Sequence, residues 1–168
     1  MDFKHDILPL KNIIFRTALR ITLNREEAED IVQDTLLKLW EKRGELEKVE
    51  NLESFALTMA RNLAIDRKEK METRNLSFNE ETHDRPDEGQ GSSDSQLMRQ
   101  ETRGFIADII NALPEKQRTI LQLRDIEGKS YKEIAAVLSI SESDVKVTLF
   151  RARNEMKEKI LQKKSFFL

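Results

Sequence analysis

The chain has 168 residues, of which 38% are hydrophobic, 36% charged and 6% aromatic, and its formal net charge is −2. No apolar run approaches the roughly 18 residues that cross a bilayer, so membrane insertion is not expected. The absence of cysteine excludes disulfides and thiolate metal sites and suits a reducing cytoplasm, while scarce glycine and proline amid plentiful charge point to an all-α chain.

The N-terminus, Met1 to Asp6, carries two acids and no apolar core, so no secretory signal is expected. Ile7, Leu10, Ile14, Ala18 and Ile21 recur at helical spacing and predict a first helix. Asn24 with Glu27 three residues on resembles a cap. Behind it Ala28, Ile31, Val32, Leu36, Leu39 and Trp40 form a second apolar stripe, with Gly44 expected to stop that helix. A further helix is predicted from about Leu52 to Met71, with Leu52, Phe55, Ala56, Met59 and Leu63 on one face.

The next stretch, 72–96, is rich in Asp, Glu, Gly and Ser and almost devoid of apolar periodicity. Such a segment buries too little to offset its ordering entropy, so it reads as a flexible linker between two small helical domains, 1–71 and 97–168. Beyond it a helix is expected over 96–113, with Pro114 as the first position of another over 115–124. Ser130 and Glu133 form a capping box before a short helix striped by Tyr131, Ile134, Ala135 and Leu138. Only Ser139 and Ile140 separate it from a second box, Ser141 to Asp144, and a last helix with Val145, Leu149, Ala152, Met156 and Ile160 on one side. Ser139 holds the turn position where glycine usually supplies a positive φ. Two capped helices joined by so short a turn, the second one basic, make a helix-turn-helix.

Charge is distributed unevenly. Residues 1–71 carry 13 basic and 14 acidic side chains, 72–96 carry 2 and 7, and 97–168 carry 14 and 10. A basic C-terminal helix after an acidic middle suits a polyanion partner for the last domain. An ordinary helical hairpin with a solvated charged face remains the alternative.

Three stretches, in order, resemble one family. The segment from Ala28 to Trp40 resembles the core-polymerase-binding helix of the extracytoplasmic-function (ECF) sigma factors of bacterial RNA polymerase. Ala60 to Arg67 resembles their promoter-melting and −10-reading helix, and Leu113 to Arg153 their −35-reading helix-turn-helix. The resemblance implies a non-enzymatic specificity factor acting in the cytoplasm, a monomer when free. Its partners would be core RNA polymerase, promoter DNA and an anti-sigma factor.

Each stretch also has a physical reading. On a helix Asp30, Gln33, Asp34 and Leu37 share a face beside the apolar stripe, which suits a basic, partly apolar protein partner. The resemblance makes that partner a pair of helices on the polymerase's largest subunit. A solvated acidic face stabilised by the helix dipole is the alternative, and a carboxylate metal site lacks the glutamate–histidine pairs that di-iron bundles use. Charge alone does not distinguish a role for Arg61, Asn62, Arg67, Lys68 and Lys70; the resemblance makes theirs the surface that holds the opened −10 strand, with the loop from Glu47 to Leu52 catching a flipped base. Their alternative is plain surface solvation. On the last helix Ser143, Val147, Phe150 and Asn154 oppose the core stripe, flanked by Lys146 and Arg151, with Arg153 close by. The resemblance has Ser143, Lys146, Val147, Phe150, Arg151 and Arg153 meet the −35 duplex, where Val147 and Phe150 could touch thymine methyls or equally pack on the linker or on a partner protein. Common family members differ from this chain at Ser143, Asp144, Val147, Thr148 and Phe150, so its −35 preference is its own. No nucleophile–base pair, phosphate loop, cofactor site or metal cluster is visible, so no enzyme is expected. A stand-alone helix-turn-helix regulator binding duplex DNA as a homodimer is the competing reading.

Overall fold

The computed structural model describes residues 1–78 and 104–167, with side chains over 1–74 and 104–163. Most of the predicted linker, the start of the helix expected at 96 and the side chains of the Ser165–Leu168 tail lie outside the described residues. Those that are described form helices and turns, without strands.

The N-terminal apolar period is shared among three segments rather than one helix. A π-helical turn, Phe3–Ile7, capped by Asp2, and a 3-10 turn, Leu8–Leu10, precede α1, Lys11–Thr22. Pro9 has no N–H to give to an α-helical ladder, which accounts for the interruption. Helix α1 ends at Leu23, in the left-handed region at φ 55°. Asn24 then caps α2, Arg25–Glu41, its side-chain oxygen accepting the Glu27 amide at 2.9 Å. The break after α2 falls at Lys42, and Gly44, expected to be the stop, sits inside the short α3, Arg43–Leu46. Burial of Leu46 draws this turn back onto the core. Helix α4, Leu52–Phe78, continues seven residues beyond Met71, into the stretch read as linker. Its alanines 56, 60 and 64 recur every four residues and are all buried. Small side chains in that row let α4 approach α1 and α2 closely, around Ile14, Ile21, Ile31 and Leu39.

The second half contains α5 over 104–111, α6, Glu115–Leu121, α7, Tyr131–Leu138, and α8, Glu142–Phe167. The helix expected to run to residue 124 changes at Leu121 into a π-helical turn, Gln122–Ile126. The Ser130–Glu133 capping box is formed in both directions. The second box is half formed. Ser141 caps the Asp144 amide at 3.0 Å, but the Asp144 carboxylate is taken by Lys116 at 2.8 and 3.0 Å and by the Thr148 hydroxyl at 3.1 Å.

The two halves pack against each other. Ile13 of α1 and Leu57 of α4 belong to the core that contains Ile110, Leu113, Ile120, Ile134, Val145 and Leu149. Arg118, 5% exposed, reaches from α6 to the end of α1, donating to the Arg20 and Ile21 carbonyls. Ser139, at φ 56°, does occupy the left-handed position at the centre of the helix-turn-helix. A side chain there is strained, so Ser139→Gly should raise stability by about 0.5–1 kcal/mol. Thermal melting checks this, and an unchanged or lower midpoint would contradict it.

Candidate functional site

Helix α2 buries Ala28, Ile31, Thr35, Leu36 and Leu39, and this fixes what it turns outward. Asp30, Gln33 and Leu37 are exposed and Asp34 is half-buried, so the four form one continuous surface. Leu37 is 59% exposed, an apolar contact point amid carboxylates. The surface is not purely acidic, because Arg67 of α4 lies against it. Its guanidinium donates to Glu27 at 3.1 Å and also to Asp30 and Asp34.

The residues grouped for the −10 strand therefore part company. Arg67 sits on the α2 carboxylates. Arg61 faces the second half of the molecule, with Nη2 3.8 Å from Glu115 and a buried Nε that has no hydrogen-bond partner among the described residues. Asn62 is exposed. Lys68 and Lys70 make i, i+4 pairs with Glu72 and Asp66 at 3.3 and 3.1 Å. Exposed pairs of this kind are worth little, so either lysine can exchange its carboxylate for a phosphate. The loop before α4 is engaged too. Asn51 caps the Ser54 amide at 3.0 Å and donates to Glu133 of α7 at 3.3 Å, while Glu53 pairs with Lys129.

Helix α8 buries Val145, Thr148, Leu149 and Ala152 and presents Ser143, Lys146, Val147, Phe150, Arg151 and Asn154 to solvent. Phe150 is 66% exposed and Val147 46%. Lys146 lies 5.4 Å from the centre of the Tyr131 ring and Arg124 4.3 Å from it, so a half-buried aromatic holds two cations beside the exposed face. The sequence placed Tyr131 only on a core stripe. Arg153 is engaged by Asp125 at 3.1 Å and is half exposed. Thr148 is buried and bonded to Asp144, so it does not join the exposed face.

Polar contacts at the junction between the halves are not legible in the sequence, because their partners are about 100 residues apart. Arg16 takes both oxygens of Glu127 at 2.7 and 2.8 Å, and Arg20 donates to Gln122 at 2.7 Å and Asn111 at 3.0 Å. Burial pushes the Glu127 carboxyl up. The hydrogen bonds from Arg16 and Gln122 and the Arg16 charge outweigh this and hold it below its ordinary value. Glu133 is held down by its bonds from Ser130, and Asp144 by Lys116. A carboxylate depressed in the folded state stabilises fully above its unfolded value and loses that contribution as pH falls through its folded value. The melting temperature should therefore fall on acidification through and below the ordinary carboxylate range, and Glu127→Gln should flatten that fall. A pH profile unchanged by Glu127→Gln would count against the Arg16–Glu127 contribution.

Among the described residues no cluster of three His, Asp or Glu side chains could hold a metal ion, and no helix is long and apolar enough to cross a membrane.

Comparison with known proteins gives this geometry its context. Residues 7–74 match the Sigma-70 region 2 family and residues 106–156 match Sigma-70 region 4. The chain is 30% identical over 141 residues to the ECF RNA polymerase sigma factor SigL of Mycobacterium tuberculosis, covering 83% of this chain and 78% of that one. It is 26% identical over 160 residues to the RNA polymerase sigma-E factor of Streptomyces avermitilis, covering 95% and 86%. Among solved structures it resembles the sigma factor RpoE of Bartonella quintana in complex with the anti-sigma factor NepR. The TM-score is 0.73 and the identity 28%, over 95% of this chain and 96% of that one. The fold also matches CnrH in complex with the cytosolic domain of CnrY, with a TM-score of 0.68, 19% identity, and coverage of 94% and 86%. This chain belongs to the ECF family of RNA polymerase sigma factors, the subunits that bind core polymerase and direct promoter recognition and transcription initiation.

Proposed function

We propose that residues 1–71 grip core polymerase through Asp30, Gln33, Asp34 and Leu37 and hold the −10 strand through Asn62, Lys68 and Lys70, Arg61 and Arg67 being turned onto Glu115 and the α2 carboxylates. Residues 97–168 would read the −35 duplex through Ser143, Lys146, Val147, Phe150, Arg151 and Arg153. The observation that carries the second assignment is an apolar pair, Val147 and Phe150, standing exposed between Lys146 and Arg151 on a capped helix. A helix with that face fits a major groove, its cations toward the phosphates and its apolar groups toward thymine methyls. The protein acts in the cytoplasm as a specificity factor, leaving the chemistry to the polymerase. A regulator of the anti-sigma class is its natural partner, as NepR is for RpoE of Bartonella quintana.

Core capture followed by a gel shift with and without core tests the function as a whole. Specific promoter binding should require the polymerase, and tight binding of a palindrome by the protein alone would favour a homodimeric regulator instead. On α8, neutralising Lys146 or Arg151 should weaken binding to all promoters and reduce the salt slope by about one unit each. Phe150→Ala should leave the slope intact and cost about 1–3 kcal/mol or less at one −35 position. Transcription from −35 variants at two salt concentrations separates the two effects. A Phe150→Ala protein with an unchanged promoter profile would remove that side chain from the reading face.

A further inference from the structure

Arg67 belongs by sequence to the helix assigned to DNA, yet its ionic partners lie on the helix assigned to the polymerase. Nη1 donates to Glu27 Oε2 and Asp30 Oδ2, and Nη2 to Asp34 Oδ2. These acids are spaced i, i+3 and i+7 along α2, so they line one stripe and repel one another when unpaired. A guanidinium is the group suited to this position, because its planar fork can hold several carboxylate oxygens at once. Burial pushes Arg67 down. Hydrogen bonds to Asp30 and Glu27 and the charges of Asp30 and Asp34 outweigh it, so the group stays firmly charged. Each acid contributes one oxygen to these bonds, and the Asp30 and Asp34 side chains remain 51% and 38% exposed.

We infer that Arg67 is a positioning residue of the polymerase-binding face: it relieves the repulsion among Glu27, Asp30 and Asp34 and holds the two aspartates oriented for basic groups of the core polymerase. A phosphate could recruit Arg67 only by displacing three carboxylates, so the residue leaves the −10 set. This role presupposes that the α2 face takes core polymerase.

The test measures the affinity of the full chain for core polymerase, and separately the binding of forked −10 DNA by holoenzyme at saturating core. Arg67→Gln should weaken core binding about tenfold, and Arg67→Lys less, because an ammonium keeps the charge without the fork. Binding of forked DNA and its salt slope should not change. In an Asp34→Asn background, Arg67→Gln should lose much of its effect, because one of the groups it orients has already been weakened as an acceptor. A purely structural role predicts equal loss in both backgrounds, and that result would overturn the inference. So would core affinity within twofold of the wild type, or a salt slope for forked DNA reduced by about one unit. Melting curves are recorded for every variant, and Arg67→Lys carries the comparison if Arg67→Gln is unfolded. Charge reversal at Asp34 separates the premise from the inference. If Asp34→Arg leaves core binding intact, the α2 assignment fails. If it abolishes binding while Arg67→Gln does not weaken it, only the role of Arg67 fails.

Discussion

Replacing Gln33 with Ala and Asp34 with Arg together should weaken capture of core polymerase by about 100-fold or more, with helical content intact, because on the face proposed to take polymerase a reversed charge replaces attraction by repulsion. Both side chains lie off the buried stripe of α2, so the core formed by Ala28, Ile31, Leu36 and Leu39 is not disturbed. Asp34→Arg would set a second cation against Arg67 in place of a carboxylate, adding a local repulsion to that surface. Some stability is lost with that pair, on the order of 1 kcal/mol because it is partly exposed. The measurement is core capture together with circular dichroism and a melting curve. A folded double mutant captured as well as the wild type would show that polymerase uses another surface.

Arg118→Ala should cost about 3–5 kcal/mol of stability, because it strands backbone carbonyls that each cost about 1–3 kcal/mol when buried without a donor. The side chain is 5% exposed and makes three bonds, to the Arg20 carbonyl at 2.6 Å, Leu113 at 2.7 Å and Ile21 at 3.1 Å. Two of those carbonyls are at the end of α1, where a helix runs out of its own donors. Arg118 thus caps a helix of the first half from within the second, and its truncation strands buried acceptors on both sides. Burial pushes its guanidinium down, with the Glu115 charge opposing, so a neutralising substitution removes a positive charge that the fold has already desolvated. Arg118→Lys should retain only part of the stability, since one ammonium cannot reach three carbonyls in a fork. Thermal and urea unfolding check both variants. A loss below about 1 kcal/mol for Arg118→Ala would mean that α1 and α6 are held together chiefly by apolar packing.

The helices were legible where their signals are local. Asn24 with Glu27, Ser130 with Glu133, and the apolar stripes of α2 and α8 act within a few residues, and those caps and buried faces are present. The turn position that usually takes glycine falls on Ser139 in the sequence, a departure from the motif, and Ser139 nonetheless takes the left-handed conformation there. Some local readings failed for local reasons. Pro9 interrupts the first helix, Gly44 is tolerated inside α3, and α4 runs past Met71. Which α2 and α8 side chains face outward followed from periodicity, because a helix that buries one stripe must expose the opposite one.

The fate of the arginines could not be read that way. Arg67, Arg61, Arg118, Arg20 and Arg16 look alike in sequence, each a cation on or beside a helical stripe. Apart from the Leu113 carbonyl that Arg118 also reaches, their partners lie 33 to 111 residues away, so which of them are available to a nucleic acid is decided by which carboxylates and carbonyls the folded chain brings near. Sequence alone determined two helical units, a helix-turn-helix, an acidic outer face on α2 and an apolar, basic-flanked face on α8. The tertiary structure alone decided that Ile13 and Leu57 join the second core, that Arg118 closes the end of α1, and that Arg67 sits among the α2 carboxylates. The reason is physical: a long cation has no preferred partner until tertiary packing sets the distance to each acid and strips the water between them.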